Sequence, residues 1–311
     1  MRFFAFYILF FLFFYILLLL SRLLIIGLGG LDMGGSTTSA QPSNSGGGLD
    51  DIFGSSMSSG SATTSSRPII IDSSANAGYE MRGSFTKDSS TDSVTLNIEV
   101  KNLDTSVHSG NFQFQFKKNL FALAPNGSGV SCGSIQPGET KSGSLQVSIQ
   151  KKQYQPNNDA PLVIAVAVMN PQRQKGSNVA YGKINLDLNN VLSSTKGQVP
   201  KKDYIGKWKG LSGEQEVNSK VSNLFSMESD AIINVMKSKN IFHVASRQEN
   251  GATRMYMSAR VMAPSKEVLL EIMLPPSTSG INGAKLCVKT EHIPVLKLVA
   301  GLVTNTLQNG N

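Results

Sequence analysis

Tryptophan occurs once in this sequence, cysteine twice and histidine three times, and each scarcity excludes something. Cys132 and Cys287 stand far apart, so no disulfide framework staples the chain; such usage fits a reducing compartment. His108, His243 and His292 show no metal-ligand spacing, and neither cysteine has a base near it in sequence. No phosphate-cradling glycine loop lies between a strand and a helix, since Gly27-Leu28-Gly29-Gly30 lacks the third glycine and the setting. These absences argue against catalysis and against a bound metal or cofactor. Charge is equally unorganised. The 29 basic and 21 acidic residues give a net +8, which favours acidic partners or an anionic surface. Yet Lys117-Lys118, Lys151-Lys152 and Lys201-Lys202 are isolated pairs of the kind found at solvated strand ends and turns. With no groove-reading helix and no RNA-binding aromatic motif, nucleic acid is not an expected partner. Asn126-Gly127-Ser128 is a formal glycosylation triplet, a pattern that arises often by chance.

What is present falls into four stretches. Residues 3–20 hold no polar group except two tyrosine hydroxyls, and Leu23 to Ile26 prolong the apolar run past Ser21-Arg22. A helix over residues 3–26 has the length to cross a bilayer, with Arg2 and Arg22 among head groups. No small-x-small cleavage site follows cleanly, which ranks a single-pass anchor in residues 1–27 above a removed signal peptide. A wrong start, placing this string before a cytosolic protein, is the third reading. Residues 28–67 turn abruptly to glycine, serine and threonine, the composition of a flexible linker. Two apolar-acidic islands interrupt it, Leu28-Gly-Gly-Leu31-Asp32 and Leu49-Asp-Asp-Ile52-Phe53, which read either as short linear peptides for a partner or as survivors in low-complexity sequence.

Residues 68–197 alternate with a period of two. Ile69 and Ile71 begin it; Val94, Leu96, Ile98 and Val100 continue, then Phe112, Phe114 and Phe116, then Leu145, Val147 and Ile149, then Ile184, Leu186 and Leu188. Leu162 to Met169 is an unbroken apolar run of the sort found in central strands. Turn residues separate these runs at Asn102 to Gly110, Pro125 to Gly127, Pro137-Gly138, Gln155 to Pro161 and Pro171 to Gly176. The pattern predicts an antiparallel, immunoglobulin-like β-sandwich. In residues 198–311, Asp230 is expected to cap a short helix presenting Ile232, Ile233 and Met236. Strands follow at Ile241 to Ala245, Thr253 to Met262, Glu267 to Leu274 and Ala284 to Val288. Pro294 opens a last helix whose buried stripe is Val295, Leu298, Val299, Leu302 and Val303. An antiparallel sheet with two helices is an α+β domain.

The single tryptophan, Trp208, lies between Lys207 and Lys209 at the entrance to this domain. Two readings stand side by side: a plug in the seam between the domains, and a half-exposed anchor for a ligand.

Specific strings then carry a resemblance. They are Met81-Arg-Gly-Ser-Phe-Thr86, Phe112-Gln-Phe-Gln-Phe-Lys-Lys-Asn-Leu-Phe121, Val179-Ala-Tyr181 with Asn190-Val-Leu192, Trp208-Lys209 with Glu216, Ile241-Phe-His-Val-Ala-Ser-Arg247, and Gly251 to Tyr256. In their order and spacing, over residues 67–308, the chain resembles the C-terminal appendage of a large adaptin subunit of the clathrin adaptor complexes. It is most similar to β-adaptin, with the α-adaptin appendage as a related second type. The resemblance implies a non-enzymatic module that binds accessory and cargo-adaptor proteins through phenylalanine-containing acidic peptides, in clathrin-mediated vesicle transport and endocytosis. It implies a peptide groove on the α+β lobe, called the platform. There Trp208 stacks on a ligand phenylalanine, Tyr256 forms a second wall, Glu216 and Glu271 accept a basic ligand residue, and Arg247 meets an acidic one. Glu271 takes its place through a one-residue offset between strands.

A second peptide site on the sandwich is implied at Tyr181, although Ala180 and Gly182 stand where aromatic residues are common in the family. The clathrin-binding peptide of the family hinge has only Leu28-Gly29-Gly30-Leu31-Asp32 as a counterpart, so clathrin itself is weakly supported. Other adaptor subunits become partners only through a trunk that this sequence lacks. The resemblance therefore implies a fragment, a divergent product or a mis-started chain, working at the cytoplasmic face of membranes, coated pits or Golgi and endosomal membranes. The competing class is a membrane-anchored interaction protein unrelated to coats.

Overall fold

In the computed structural model the described residues are 67–75, 77–150, 160–173 and 178–311. The expected membrane segment at 3–26, the linker with its islands, and parts of the turns around 151–159 and 174–177 lie outside them. Among the described residues no helix is long and apolar enough to cross a membrane.

Two-residue alternation becomes nine strands: β1 (Ile69–Ile71), β2 (Tyr79–Lys87), β3 (Val94–Asn102), β4 (His108–Phe116), β5 (Leu123–Pro125), β6 (Val130–Ile135), β7 (Thr140–Ile149), β8 (Val163–Met169) and β9 (Val179–Asn185). They pair as one sheet in the order β1-β2-β3-β7-β5 and another in the order β6-β4-β8-β9. Each strand sends every second side chain inward, because successive Cβ atoms point to opposite faces. Thus Leu96, Ile98 and Val100 of β3 are buried, as are Phe112 and Phe114 of β4 and Ile164, Val166 and Val168 of β8. The apolar run of β8 alternates in burial as well, and it lies inside its sheet, between β4 and β9.

The chain leaves the sandwich through a 3-10 turn at Leu188–Val191 and a single bridge between Leu192 and Val261. Asp92, in the β2–β3 turn at φ 60°, fixes this passage. Its carboxylate accepts hydrogen bonds from the Ser193 hydroxyl (2.5 Å), the Ser194 amide (2.7 Å) and hydroxyl (2.6 Å), and the Thr195 hydroxyl (2.7 Å).

A five-stranded antiparallel sheet follows, ordered β10-β14-β13-β12-β11. Its strands are β10 (Glu216–Ser222), β11 (Phe242–Glu249), β12 (Ala252–Arg260), β13 (Glu267–Leu274) and β14 (Gly283–Thr290). Three helices accompany it, α1 (Lys201–Gly210), α2 (Ser229–Ser238) and α3 (Ile293–Asn309). Met255, Met257, Leu270, Ile272, Leu286 and Val288 line the inner face and are buried. α3 packs on β10 and β14, and α2 on β11. Pro294 stands in the first turn of α3, with Val295, Val299 and Val303 buried and Leu298 and Leu302 half-buried beside them. The sheet's other face is left open except where α1 crosses it.

Three expectations are corrected here. The lobe has three helices, not two, because residues 201–210 wind into α1. Its sheet gains an unexpected edge strand, β10. Asp230 does not cap α2: Glu228 occupies the cap position without a side-chain bond, and Asp230 sits in the first turn, where its charge favours the positive end of the helix.

Candidate functional site

Helix α1 is held by little of its own sequence. Gly206 and Gly210 weaken it, while Asp203 in its first turn and Lys207 and Lys209 in its last complement its dipole. What fixes it is a pair of aromatic residues four positions apart, and therefore on one side of the helix. Tyr204 is buried and its hydroxyl donates to the Leu270 carbonyl at 2.6 Å. Trp208 stacks on Tyr204, with centroids 5.8 Å apart and planes 16° from parallel. Tyr256 meets the same ring from the sheet at 5.6 Å. Val199 and Leu269 close the cluster from below, with Leu211 and Val244 at its margin. Trp208 itself is half-exposed. The indole thus rests against its own lobe, and the partners packed around it all come from residues 199–269.

Lys289 locks the exposed end of the cluster. Its ammonium lies 4.8 Å from the Trp208 ring centroid, donates to the Leu211 carbonyl at 2.9 Å and pairs with Glu216 at 2.7 Å. The Lys289 hydrogen bond, with a second from Asn218, holds the Glu216 carboxyl below the usual range.

Strand register shows what shares this surface, since residues two apart on a strand face the same side. One cross-strand row reads Glu216, Lys289, Leu269, Ser258; the next reads Asn218, Cys287, Glu271, Tyr256. Trp208, Glu216, Tyr256 and Glu271 are therefore gathered on one face, and Tyr256 and Glu271 are direct cross-strand neighbours. Glu271 pairs with Arg254 at 2.9 Å. Arg247 stands farther out, on edge strand β11 opposite Arg254, with its exposed side chain paired to Glu249 at 2.9 Å. Beside Tyr256 and Glu271 the sheet dips into an open depression of about 430 Å³ that Arg254, Met273, Lys285 and Cys287 help to line. Burial, and then the Glu216 charge, push the Cys287 thiol up to about 12, so it stays protonated at neutral pH and is a poor nucleophile.

Tyr181 lies far from this face in sequence and element, on edge strand β9 of the sandwich, and is 66% exposed. Its small neighbours have a structural cause. Ala180 is buried, and a Cβ on Gly182 would lie 2.0 Å from the Ile70 carbonyl oxygen of β1. No aromatic side chain fits at 182 while β1 crosses there.

Two members of the site were not expected, Tyr204 and Lys289. The spacing of Tyr204 and Trp208 was the available signal for the first; a lysine ending an alternating strand gave none for the second.

Residues 194–307 match the family described as Beta2-adaptin appendage, C-terminal sub-domain. The AP-1 complex subunit beta of Dictyostelium discoideum is 24% identical over 217 residues, 69% of this chain and 22% of that protein. AP-1 complex subunit beta-1 of Homo sapiens is 26% identical over 234 residues, 75% of this chain and 23% of that protein. The chain carries a β-adaptin appendage. The Mus musculus AP-1 complex subunit beta-1 adds 26% identity over 212 residues, 68% of this chain and 21% of that protein. The appendage chain thus spans less than a quarter of the length of these relatives. Its platform comprises β10–β14 with α1–α3, and Trp208 stands on the platform face that α2 and α3 leave open.

Proposed function

We propose that this appendage is a non-catalytic recruitment module of clathrin-coated vesicles, whose platform face binds short peptides of accessory and cargo-adaptor proteins. The observation that carries the reading is the half-exposed Trp208, stacked on buried Tyr204 and pinned by Lys289. An indole already held flat loses little freedom when a ligand aromatic ring settles on it, which is how anchor residues concentrate binding energy. The Glu216–Lys289 and Glu271–Arg254 pairs around it present fixed charges that orient a peptide while leaving no ion unpaired in its absence. Arg247 extends that charged rim. Contacts of this size are individually weak, about micromolar, and gain strength when many copies sit on one coat. Tyr181, exposed on the sandwich edge, serves as a separate and smaller contact.

The test is calorimetric titration of the chain with a peptide combining a phenylalanine and acidic residues. Trp208→Ala is expected to weaken binding by about tenfold or more, with an unchanged thermal midpoint. Equal affinity for both proteins would refute the assigned face.

A further inference from the structure

Beyond the aromatic cluster, the next cross-strand row of the platform reads Lys220, Lys285, Met273, Arg254, Arg247 across all five strands. Four of its five members are cationic. Two of the adjacent pairs, Lys220 with Lys285 and Arg254 with Arg247, set like charges directly opposite each other, an arrangement that costs stability. On one side the repulsion is relieved, because Glu249 bridges Arg247 (2.9 Å) and Arg254 (3.1 Å) and Glu271 takes Arg254 as well (2.9 Å). On the other side it is not. Lys220 and Lys285 are exposed and have no carboxylate partner among the described residues, and both line the depression of about 430 Å³. The surplus positive charge is therefore confined to one end of a concave surface whose opposite end is Trp208.

The geometry points to Lys220 and Lys285 as the docking ledge for the acidic segment of a bound peptide. This rests on the reading of the platform as a peptide-binding face and names the chemistry of its second anchor. Lys285 and Lys289 are four residues apart on β14, so the ledge lies roughly 13 Å from the ammonium beneath Trp208. An extended peptide covers that span with about four residues, and a helical one with about nine. The uncompensated lysine pair is what an acidic ligand needs: two opposed ammonium groups that a carboxylate cluster neutralises together.

The experiment is titration of the full chain with two peptides sharing one phenylalanine, the first carrying aspartates at those spacings and the second asparagines. Lys285→Glu is expected to weaken the aspartate peptide by about tenfold, the worth of two charge contacts becoming one repulsion, and to leave the asparagine peptide unchanged. Its thermal midpoint should hold or rise, because the introduced carboxylate would face Lys220 as an opposite charge. A Lys220→Gln/Lys285→Gln double variant should show the same selectivity more weakly. Equal effects on both peptides, or none, overturn the ledge. Trp208→Ala reads the other half independently: if it weakens both peptides while the lysine variants do nothing, the groove stands and the ledge falls. If only the lysine variants act, the ledge stands without the groove.

Discussion

Replacing Tyr204 with alanine is expected to lower the unfolding free energy by about 3–5 kcal/mol, the range for deleting a buried ring that its surroundings cannot refill. Tyr204 is 2% exposed, and three elements converge on it: α1, which carries it, β12 through Tyr256, and β13 through the Leu270 carbonyl. Burial, and then the Glu271 charge, raise its phenol far above the ordinary tyrosine value, so the hydroxyl acts only as a hydrogen-bond donor to that carbonyl. Tyr204→Phe separates the two contributions. It keeps the ring and loses one hydrogen bond, which costs roughly 1 kcal/mol, and it leaves Trp208 its stacking surface. Denaturant unfolding of both variants measures the stability difference, and peptide titration of the folded protein measures what the pedestal contributes to the indole. Tyr204→Ala should weaken peptide binding as well as stability; Tyr204→Phe should affect only stability.

The second large effect is expected at Asp92. Burial opposes its charge, but the hydrogen bonds from Ser193, Ser194 and Thr195 outweigh that and hold its carboxyl well below the usual range. It is also the counter-ion 3.9 Å from Lys87, whose side chain is 5% exposed and whose ammonium donates to the Leu192 carbonyl. Asp92→Ala strands that ammonium and frees the Ser193–Thr195 passage together, for a loss of about 3 kcal/mol at neutral pH. The sign of the pH dependence follows from the lowered folded value. The stabilisation is complete above the ordinary carboxyl value of 3.8 and fades as pH falls toward the folded one. Thermal melts of wild type and variant should therefore converge in acid, and a gap that stays constant down to about pH 2 would contradict the role.

Much of this architecture was legible because its strands are half-buried. β2, β3 and β4 each bury one face against the opposing sheet, and alternation in sequence is the direct imprint of that burial. The amphipathic stripe of α3 was equally plain. The elements that build the site left weaker traces. α1 contains two glycines and buries only Tyr204, so no apolar stripe announces a helix. β10 is an edge strand with one fully buried residue, Val221, and reads as a polar loop. The site followed the same division. Trp208 stood out as the sole tryptophan, and Glu216, Tyr256 and Glu271 were named from the resemblance. Lys289 was invisible because a lysine at a strand end ordinarily points to water, whereas this one is turned under an indole and tied to Glu216. The Lys220–Lys285 opposition is a property of register between β10 and β14, which single-chain periodicity does not encode.

Because Trp208 is the only tryptophan in the sequence, its fluorescence reports on this one face and nowhere else. Titrating the full chain with a peptide of one phenylalanine followed by aspartates should give a saturable change in emission with a midpoint of about micromolar concentration. The change should disappear when the peptide phenylalanine is replaced by alanine. Saturable binding by calorimetry with Trp208 emission unmoved would contradict the account.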